Sequence, residues 1–320
     1  MSLLAVEDLS VAIGTVPLID RVGFTLDRGE VLGLVGESGS GKSLTATTLM
    51  GLLPLIGGRI TAGAVRFDGL DLTTLAEPAY RRLRGGRIAL IAQNPMTSLD
   101  PIKTVGAQID QVSRLHAGLS PAAARARSLE LMDQLRIPEA AAIHGHYPHQ
   151  LSGGMKQRVV IAMALAGDPD LIIADEPTTA LDVTIQAQII QILCDLVASR
   201  GLALLLITHD MGVVAQACHR VGVLYAGRLA ETGPVEAIFA QPRHPYTKAL
   251  IGCIPEAGQA AGTLVGIPGM VPTPIAYPAG CRFHPRCAVA RSDCGTTVPA
   301  GSGRGASTAY CLHPLEAADA

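Results

Sequence analysis

The chain has 320 residues, of which 16% are charged, and its net charge of −2 comes without any block of Lys and Arg, so a nucleic-acid partner is not expected. Hydrophobic residues make up 48% of the sequence and the mean hydropathy is +0.35, yet the longest apolar runs, such as residues 202–207, are strand-sized and far too short to span a membrane. This combination predicts an α/β protein with a large core and buried parallel strands.

The N-terminal third of the sequence has the pattern of several strands around one helix. Its first residues are acidic and lack a basic segment, so a signal peptide is not expected and the cytoplasm is the default compartment. The apolar patterns predict strands at residues 3–11, 22–26, 30–35, 63–67 and 88–92, and a helix at residues 44–53.

A glycine-rich loop joins the strand at residues 30–35 to this helix. It reads Gly36-Glu37-Ser38-Gly39-Ser40-Gly41-Lys42-Ser43, the P-loop pattern in the strand–loop–helix context that such a loop requires. The glycines let backbone N–H groups converge on one anion at a helix N-terminus. We therefore expect a nucleoside triphosphate here, with Lys42 reaching the β- and γ-phosphates and the hydroxyl of Ser43 offered to Mg²⁺.

From about residue 104 the apolar period becomes helical. Helices are predicted from residue 104, at residues 121–135 and at residues 152–166, and together they form a helical insert at about residues 97–166. The last helix opens with the run Leu151-Ser152-Gly153-Gly154-Met155-Lys156-Gln157. A Ser-Gly-Gly at a helix start can bind an anion through backbone N–H groups and a hydroxyl. The three histidines before it, His144, His146 and His149, are expected to be solvated loop residues.

A continuous apolar run at residues 171–174 has the composition of a central parallel strand and ends in Asp175-Glu176. An acid at this end of a P-loop sheet can hold Mg²⁺, and the next acid can polarise a water. We therefore assign Asp175 as a magnesium ligand and Glu176 as the general base. A long helix at residues 183–199, a strand at 203–207 and a hairpin of residues 221–225 and 228–232 are predicted next.

The composition of the sequence changes at about residue 254, where Gly and Pro become frequent and little apolar periodicity is left. Four of the seven cysteines lie here, at Cys281, Cys287, Cys294 and Cys311. Four thiolates are able to hold an iron–sulfur cluster or a structural zinc, and their spacing matches neither the common zinc ribbon nor the bacterial ferredoxin run. Cluster, zinc and free thiols are therefore kept as alternatives. The composition predicts a separate appendage held by local staples rather than by a large core.

The motifs as a set resemble those of ABC ATPases, in which the signature motif of one subunit closes on the nucleotide of another. Residues 151–157 match that signature, with Met155 where the consensus has Gln. The resemblance also implies further site residues. Gln93 would be the Q-loop residue that senses Mg²⁺ and the attacking water, and Ala180-Leu181-Asp182 would be the D-loop. His209 would be the switch histidine at the γ-phosphate, and Ile13 stands where an aromatic residue usually stacks on adenine. An apolar Ile13 implies weaker base stacking.

Four further stretches resemble the D-type ATPase subunit of oligopeptide and dipeptide importers. They are residues 94–101, residues 174–184, His244-Pro245-Tyr246-Thr247, and residues 278–287 with Cys281 and Cys287. The likeness extends over essentially the whole chain. It implies an ATPase domain at residues 1–253, an importer-type extension at residues 254–320, and a segment at residues 94–102 that docks on a membrane subunit.

This resemblance implies a hydrolase that uses ATP and Mg²⁺ to power peptide import at the cytoplasmic face of the inner membrane. The implied partners are a related F-type ATPase subunit, two permease subunits and a solute-binding protein, and the resemblance favours a [4Fe–4S] cluster at the four cysteines over zinc. Two alternatives are weighed. One is the same role for nickel or another small solute, and the other is a soluble ABC ATPase acting on DNA or ribosomes.

Overall fold

The computed structural model describes residues 2–179, 181–254 and 266–316. The chain forms two compact units. The first combines residues 1–26, 31–73 and 207–320, and the second combines residues 27–30 and 74–206. Within the described residues, no helix combines the length and the apolar character that crossing a membrane would need.

The N-terminal part of the first unit contains a four-stranded antiparallel sheet and, between its second and third strands along the chain, the strand and the helix that flank the P-loop. Its elements are β1 (Leu4–Ile13), β2 (Val16–Leu26), β3 (Val31–Val35), α1 (Lys42–Leu49), β4 (Gly58–Phe67) and β5 (Leu70–Asp71). The sheet has the order β2-β1-β4-β5. The strand predicted at residues 22–26 begins at Val16 instead. Pro17 obscured that start, but β2 is an edge strand, where a missing N–H is tolerated.

The second unit carries the helical insert and three strands. Its elements are α2 (Glu77–Leu83), β6 (Ile88–Ile91), α3 (Pro95–Ser98), α4 (Val105–His116), α5 (Pro121–Gln134), α6 (Ala140–Ile143), α7 (Gly153–Leu165), β7 (Leu171–Asp175), α8 (Val183–Arg200) and β8 (Ala203–Thr208), the last two residues of β8 being counted with the first unit. The strand order is β8-β7-β6, and β6 and β7 are parallel. The helices and strands predicted in this stretch are confirmed.

The stretch after Asn94 contains two prolines, and it forms the short helix α3: Pro95 suits the first helical position, and the Asn94 side chain accepts a hydrogen bond from the Met96 N–H at 2.9 Å. One expectation in the second unit is wrong. His144 is buried rather than solvated, and its Nε2 lies 3.1 Å from an Asp110 carboxylate oxygen. A buried imidazole needs a hydrogen-bond partner, and here one partner is Asp110 on another helix, which the sequence around His144 does not indicate.

The C-terminal part of the first unit extends the parallel strand β3 on one side. Its elements are α9 (Met211–Ala217), β9 (Arg220–Tyr225), β10 (Arg228–Pro234), α10 (Val235–Ala240), α11 (Pro245–Ile251), β11 (Ser302–Arg304) and β12 (Ser307–Ala309). The strand order is β11-β12-β10-β9-β3, with β3 and β9 parallel. The predicted hairpin is confirmed as β9 and β10, and its turn uses left-handed backbone at Ala226 and Gly227.

The cysteine-rich region shares a core with the rest of the first unit. Phe283 is only 3% exposed and packs edge-on against Tyr225, with ring centroids 5.1 Å apart. The half-buried Cys281 and Cys287 pack against the same cluster. Burial of apolar surface therefore holds this region, in addition to any local staple. The expected boundary at residue 254 stays a prediction, since the adjoining residues 255–265 lie outside the described residues.

Candidate functional site

The P-loop of the first unit has its glycines where close packing and left-handed backbone demand them. A side chain at Gly36 would collide with the carbonyl oxygen of Leu224, while Gly39 and Gly41 have φ values of +79° and +105°. Glycine adopts such conformations without the steric cost that other residues incur. The loop leads directly into α1, so its N–H groups are gathered at a helix N-terminus.

The loop has the features of an anion cradle. Within the described part of the chain, the backbone N–H groups of Ser38, Gly39 and Gly41 donate to no protein acceptor. Lys42 is 5% exposed, and its ammonium donates to the carbonyl oxygens of Gly36 at 2.6 Å and Glu37 at 3.0 Å. A buried cation beside converging N–H groups fits a polyphosphate.

The other predicted residues of the nucleotide site in the first unit lie at element ends. Ser43 is exposed in the first turn of α1, and Ser40 is fully buried. Ile13 is half-buried at the end of β1, paired with Val16 across the turn. His209 is exposed between β8 and α9. These positions leave the hydroxyl of Ser43 and the ring of His209 accessible to a ligand.

In the second unit, the structure brings together two residues that the sequence could link only by resemblance. The Gln93 amide donates to Glu176 Oε2 at 2.8 Å, and the Thr179 hydroxyl donates to the same oxygen at 2.9 Å. Glu176 has a φ of +48°, a strained conformation for a residue with a side chain and one that concentrates at functional sites. Asp175, half-buried, ends the parallel strand β7. A carboxylate fixed by two donors is oriented for a defined proton transfer.

The signature run begins α7. The Ser152 hydroxyl accepts a hydrogen bond from the Met155 N–H at 3.4 Å and thereby caps the helix. Gly154 is required by packing, because a Cβ there would lie 2.9 Å from Ile185 Cγ2. Leu151 and Gln157 are buried, with Gln157 only 1% exposed. Gly154 and Met155 are half-buried, whereas Ser152 and Gly153 are exposed and are therefore the most accessible members for a second molecule.

The D-loop prediction is only partly visible. Asp182 is exposed at the start of α8, and Leu181 precedes it, whereas Ala180 lies outside the described residues. The exposed Asp182 is accessible to another chain, as the predicted role requires.

Two residues near the P-loop were missed as functional candidates. Arg286 donates to both carboxylate oxygens of Glu37, at 2.7 and 3.0 Å, and the Glu37 backbone N–H donates to the Tyr246 hydroxyl at 2.9 Å. Arg286 and Tyr246 were noted only as parts of two importer-like stretches. No local spacing could indicate contacts across more than two hundred residues of sequence.

The four cysteines line one small cavity together with three apolar side chains and three histidines, which are Phe283, Val289, Leu312, His244, His284 and His313. Burial raises the pKa of the Cys281 and Cys287 thiols and raises that of Cys311 to about 11. Without a cation these thiols are therefore protonated at neutral pH, and a bound metal would displace the protons. All seven cysteines are free of disulfide bonds.

The arrangement of the sulfurs bears on which metal they fit. A tetrahedral zinc with Zn–S bonds of about 2.3 Å needs sulfurs about 3.8 Å apart. Among the described residues, three ligating atoms within 4.8 Å of one another occur at Asp293, Cys294 and His313, and not among the four cysteines. The four cysteine sulfurs are thus less closely grouped than the ligands of a zinc site, and thiolates by themselves suit zinc and an iron–sulfur cluster alike.

Comparisons with known proteins agree with this geometry. The ABC transporter family profile matches residues 19–179, and a profile described as the oligopeptide/dipeptide transporter C-terminal region matches residues 230–294. The chain is 47% identical to the dipeptide transport ATP-binding protein DppD of Escherichia coli K12, over 99% of this chain and 98% of that protein. It is 46% identical to the oligopeptide transport ATP-binding protein AppD of Bacillus subtilis, over 89% of this chain and 87% of that protein.

Solved structures give the same result. The dimeric ATP-binding cassette MJ0796, bound to ADP and phosphate in a post-hydrolysis state, aligns with a TM-score of 0.64 and 27% identity over 72% of this chain and 98% of its own. The protein cbiO1 of Clostridium perfringens, part of the transporter complex cbiONQ, aligns with a TM-score of 0.66 and 25% identity, over 75% of this chain and 91% of its own.

Proposed function

This chain belongs to the ABC transporter family, and on that basis we propose that it is the ATP-hydrolysing subunit of an importer for di- and oligopeptides. The observation that carries the proposal is the 47% identity to a dipeptide transport ATP-binding protein over nearly the full length of both chains. The match of residues 230–294 to the peptide-transporter C-terminal region supports the same solute class.

ATP and Mg²⁺ are the cofactors of this family, and the P-loop residues fit them. The N–H groups of Ser38, Gly39 and Gly41 and the ammonium of Lys42 would hold the phosphates, while Ser43, Asp175 and Gln93 would hold the metal. When bound, Mg²⁺ would neutralise negative charge on the phosphates. Ile13 would supply apolar contact to the base, and His209 would contact the γ-phosphate.

Glu176 is the general base in this proposal. Its carboxylate would accept a proton from the water that attacks the γ-phosphorus. The donors from Gln93 and Thr179 hold Glu176 Oε2 at 2.8 and 2.9 Å, which fixes the orientation of the carboxylate. A base with a fixed orientation increases the rate of the reaction more than a mobile one, because its orientation is established before the reaction.

The site needs a second ATPase subunit, because signature residues act on the nucleotide of the facing chain. Ser152 and Gly153, exposed at the start of α7, would contact that nucleotide, and Asp182 would lie at the subunit contact. We infer that the facing chain is a related F-type subunit rather than a second copy.

The membrane partners would be two permease subunits, with a solute-binding protein delivering the peptide. The docking segment is residues 94–102, in which Met96 is 61% and Ile102 is 82% exposed. Exposed large apolar side chains at this density indicate an interaction surface. The chain would then work at the cytoplasmic face of the inner membrane, held there by the permeases.

We further propose that Cys281, Cys287, Cys294 and Cys311 hold a [4Fe–4S] cluster within an extension that begins at residue 254. The shared cavity and the open spacing of the sulfurs support this ligand set. Anaerobic purification with iron and acid-labile sulfide analysis tests it, beside a Cys281→Ser variant. About four irons per chain, lost in the variant, would support the cluster. One zinc per chain, or no metal, would reject it.

The test of the importer function is co-purification followed by reconstitution. The chain should co-purify with integral membrane chains, and labelled dipeptide should enter vesicles that contain the complex, its binding protein and ATP. A strictly soluble complex would contradict the importer role. Uptake of nickel or another small solute in place of peptide would keep the ATPase role and overturn the solute class.

A further inference from the structure

Arg286 uses its whole guanidinium group inside the first unit. Two of its N–H groups bind the Glu37 carboxylate, at 2.7 and 3.0 Å, and the others donate to the Tyr225 hydroxyl at 3.3 Å and to the carbonyl oxygens of Pro268 at 2.8 Å and Ile267 at 3.2 Å. The side chain is 5% exposed. All five donors of the fork therefore have acceptors, so the side chain has one preferred position.

Glu37 is the partner through which this position reaches the P-loop. It is the second residue of the loop, and its backbone takes part in the loop's own bonding: its carbonyl oxygen accepts from Lys42 Nζ at 3.0 Å and from the Ser40 N–H at 3.2 Å. Its backbone N–H donates to the Tyr246 hydroxyl at 2.9 Å. Through its side chain, its N–H and its carbonyl, Glu37 thus connects Lys42, the phosphate-binding lysine, to the C-terminal region.

The pair differs from an ordinary surface ion pair. Exposed pairs contribute little because water and salt screen them. Here the arginine is almost fully buried and the carboxylate is 29% exposed, and the contact is bidentate. The charges are held firmly enough to fix a loop whose glycines would otherwise leave it many conformations.

We propose that Arg286 is a positioning residue for the P-loop, through Glu37, so that the C-terminal region of this chain helps to set its affinity for ATP. The inference rests on the proposed function, because ATP is taken as the ligand of the loop. Arg286 does not touch the nucleotide in this account. It acts by holding Glu37, and through Glu37 the carbonyl that orients Lys42.

The test is calorimetric titration of the purified full chain with ATP and Mg²⁺. Arg286→Met and Glu37→Gln should each raise the Kd for ATP about tenfold, and Arg286→Lys should fall between Arg286→Met and the wild type because it keeps the charge without the fork. The Kd of the double variant should be no higher than the higher of the two single-variant values, since both changes break the same Arg286–Glu37 interaction.

A matched control comes from the second unit. Arg84 makes a bidentate pair with Glu77, at 2.7 and 2.9 Å, and Arg84→Met should leave the Kd for ATP within twofold of the wild type. A purely structural role for Arg286 would lower the thermal midpoint without changing the Kd of the folded protein. If Arg286→Met does not fold, Arg286→Lys and Glu37→Gln decide together, because each keeps a polar side chain of similar size at its position.

The outcomes separate this inference from the proposed function. If the folded Arg286→Met and Glu37→Gln variants bind ATP as the wild type does, or if their effects add in the double variant, the positioning role is wrong. In that case ATP binding that is abolished by Lys42→Ala would still support the P-loop. If the wild type itself binds no ATP, the proposed function fails instead.

Discussion

Phe283 gives the sharpest test of whether the cysteine-rich region rests on the core of the first unit. The ring is 3% exposed and has edge or tilted contacts with Tyr225 at 5.1 Å and Tyr246 at 5.2 Å. Burial of a phenylalanine contributes about 2–3 kcal/mol, and each aromatic contact adds about 0.5–1 kcal/mol. Phe283→Ala should therefore lower the free energy of unfolding by about 4 kcal/mol, within the range for buried Phe-to-Ala changes.

The assay is urea unfolding of the full chain followed by tyrosine fluorescence and by circular dichroism. Met270→Ala is the control, because Met270 lies in the same region and is 88% exposed, and it should change the free energy of unfolding by less than about 0.5 kcal/mol. A loss below about 1 kcal/mol in Phe283→Ala would refute the shared core. It would return the region to an appendage held by local staples alone.

The buried His244, the contact of Gly154 with Ile185 and the hydrogen bond of Gln93 to Glu176 can each be tested by one substitution. Burial lowers the pKa of His244 to about 4, so between pH 6.5 and 4 the unfolded chain binds a proton that the folded chain does not. Stability therefore falls as the pH falls through this window. From pH 7 to 5 the free energy of unfolding of the wild type should fall by about 2 kcal/mol more than that of His244→Asn, measured by urea unfolding at both pH values. Gly154→Ala places a methyl against Ile185 and should lower stability by about 1–3 kcal/mol, and Ile185→Val should restore part of that loss in the double variant. Gln93→Ala removes a donor to Glu176 and should reduce kcat about tenfold at saturating ATP and Mg²⁺, whereas an unchanged kcat would contradict the orienting role.

Local chemistry explains which elements the sequence could predict. The P-loop was recognised because its glycines, lysine and serine are consecutive, and the strand at residues 171–174 because an unbroken apolar run fits a strand buried on both faces. Helices α4, α5 and α7 were predicted from their apolar period, and in the structure Thr104, Ser120 and Ser152 cap their starts.

What could not be predicted depends on contacts between distant parts of the chain. The partners of Glu37 lie at Tyr246 and Arg286, and nothing in residues 36–43 indicates them. The burial of His144 depends on Asp110 and on the close approach of its ring to Gly106. In both cases the side chain is placed by tertiary packing, which a local pattern does not encode.

The cysteine-rich region shows a different limit. Its lack of periodicity was read as lack of a core, but Phe283 and the half-buried Tyr277 contribute to the core of the first unit without belonging to a long helix or strand. Periodicity detects regular elements, and an irregular segment can bury large side chains without it.

The central claim is that this chain hydrolyses ATP to drive peptide import, and one measurement tests it most directly. ATP hydrolysis is followed in vesicles that contain the chain, its partner ATPase, the two permeases and the binding protein, with and without dipeptide, beside the Glu176→Gln variant. We expect hydrolysis to rise with dipeptide in the wild type and nearly to disappear in the variant, although the variant still binds ATP. Hydrolysis at the wild-type rate in Glu176→Gln, or a rate that does not respond to dipeptide, would contradict it.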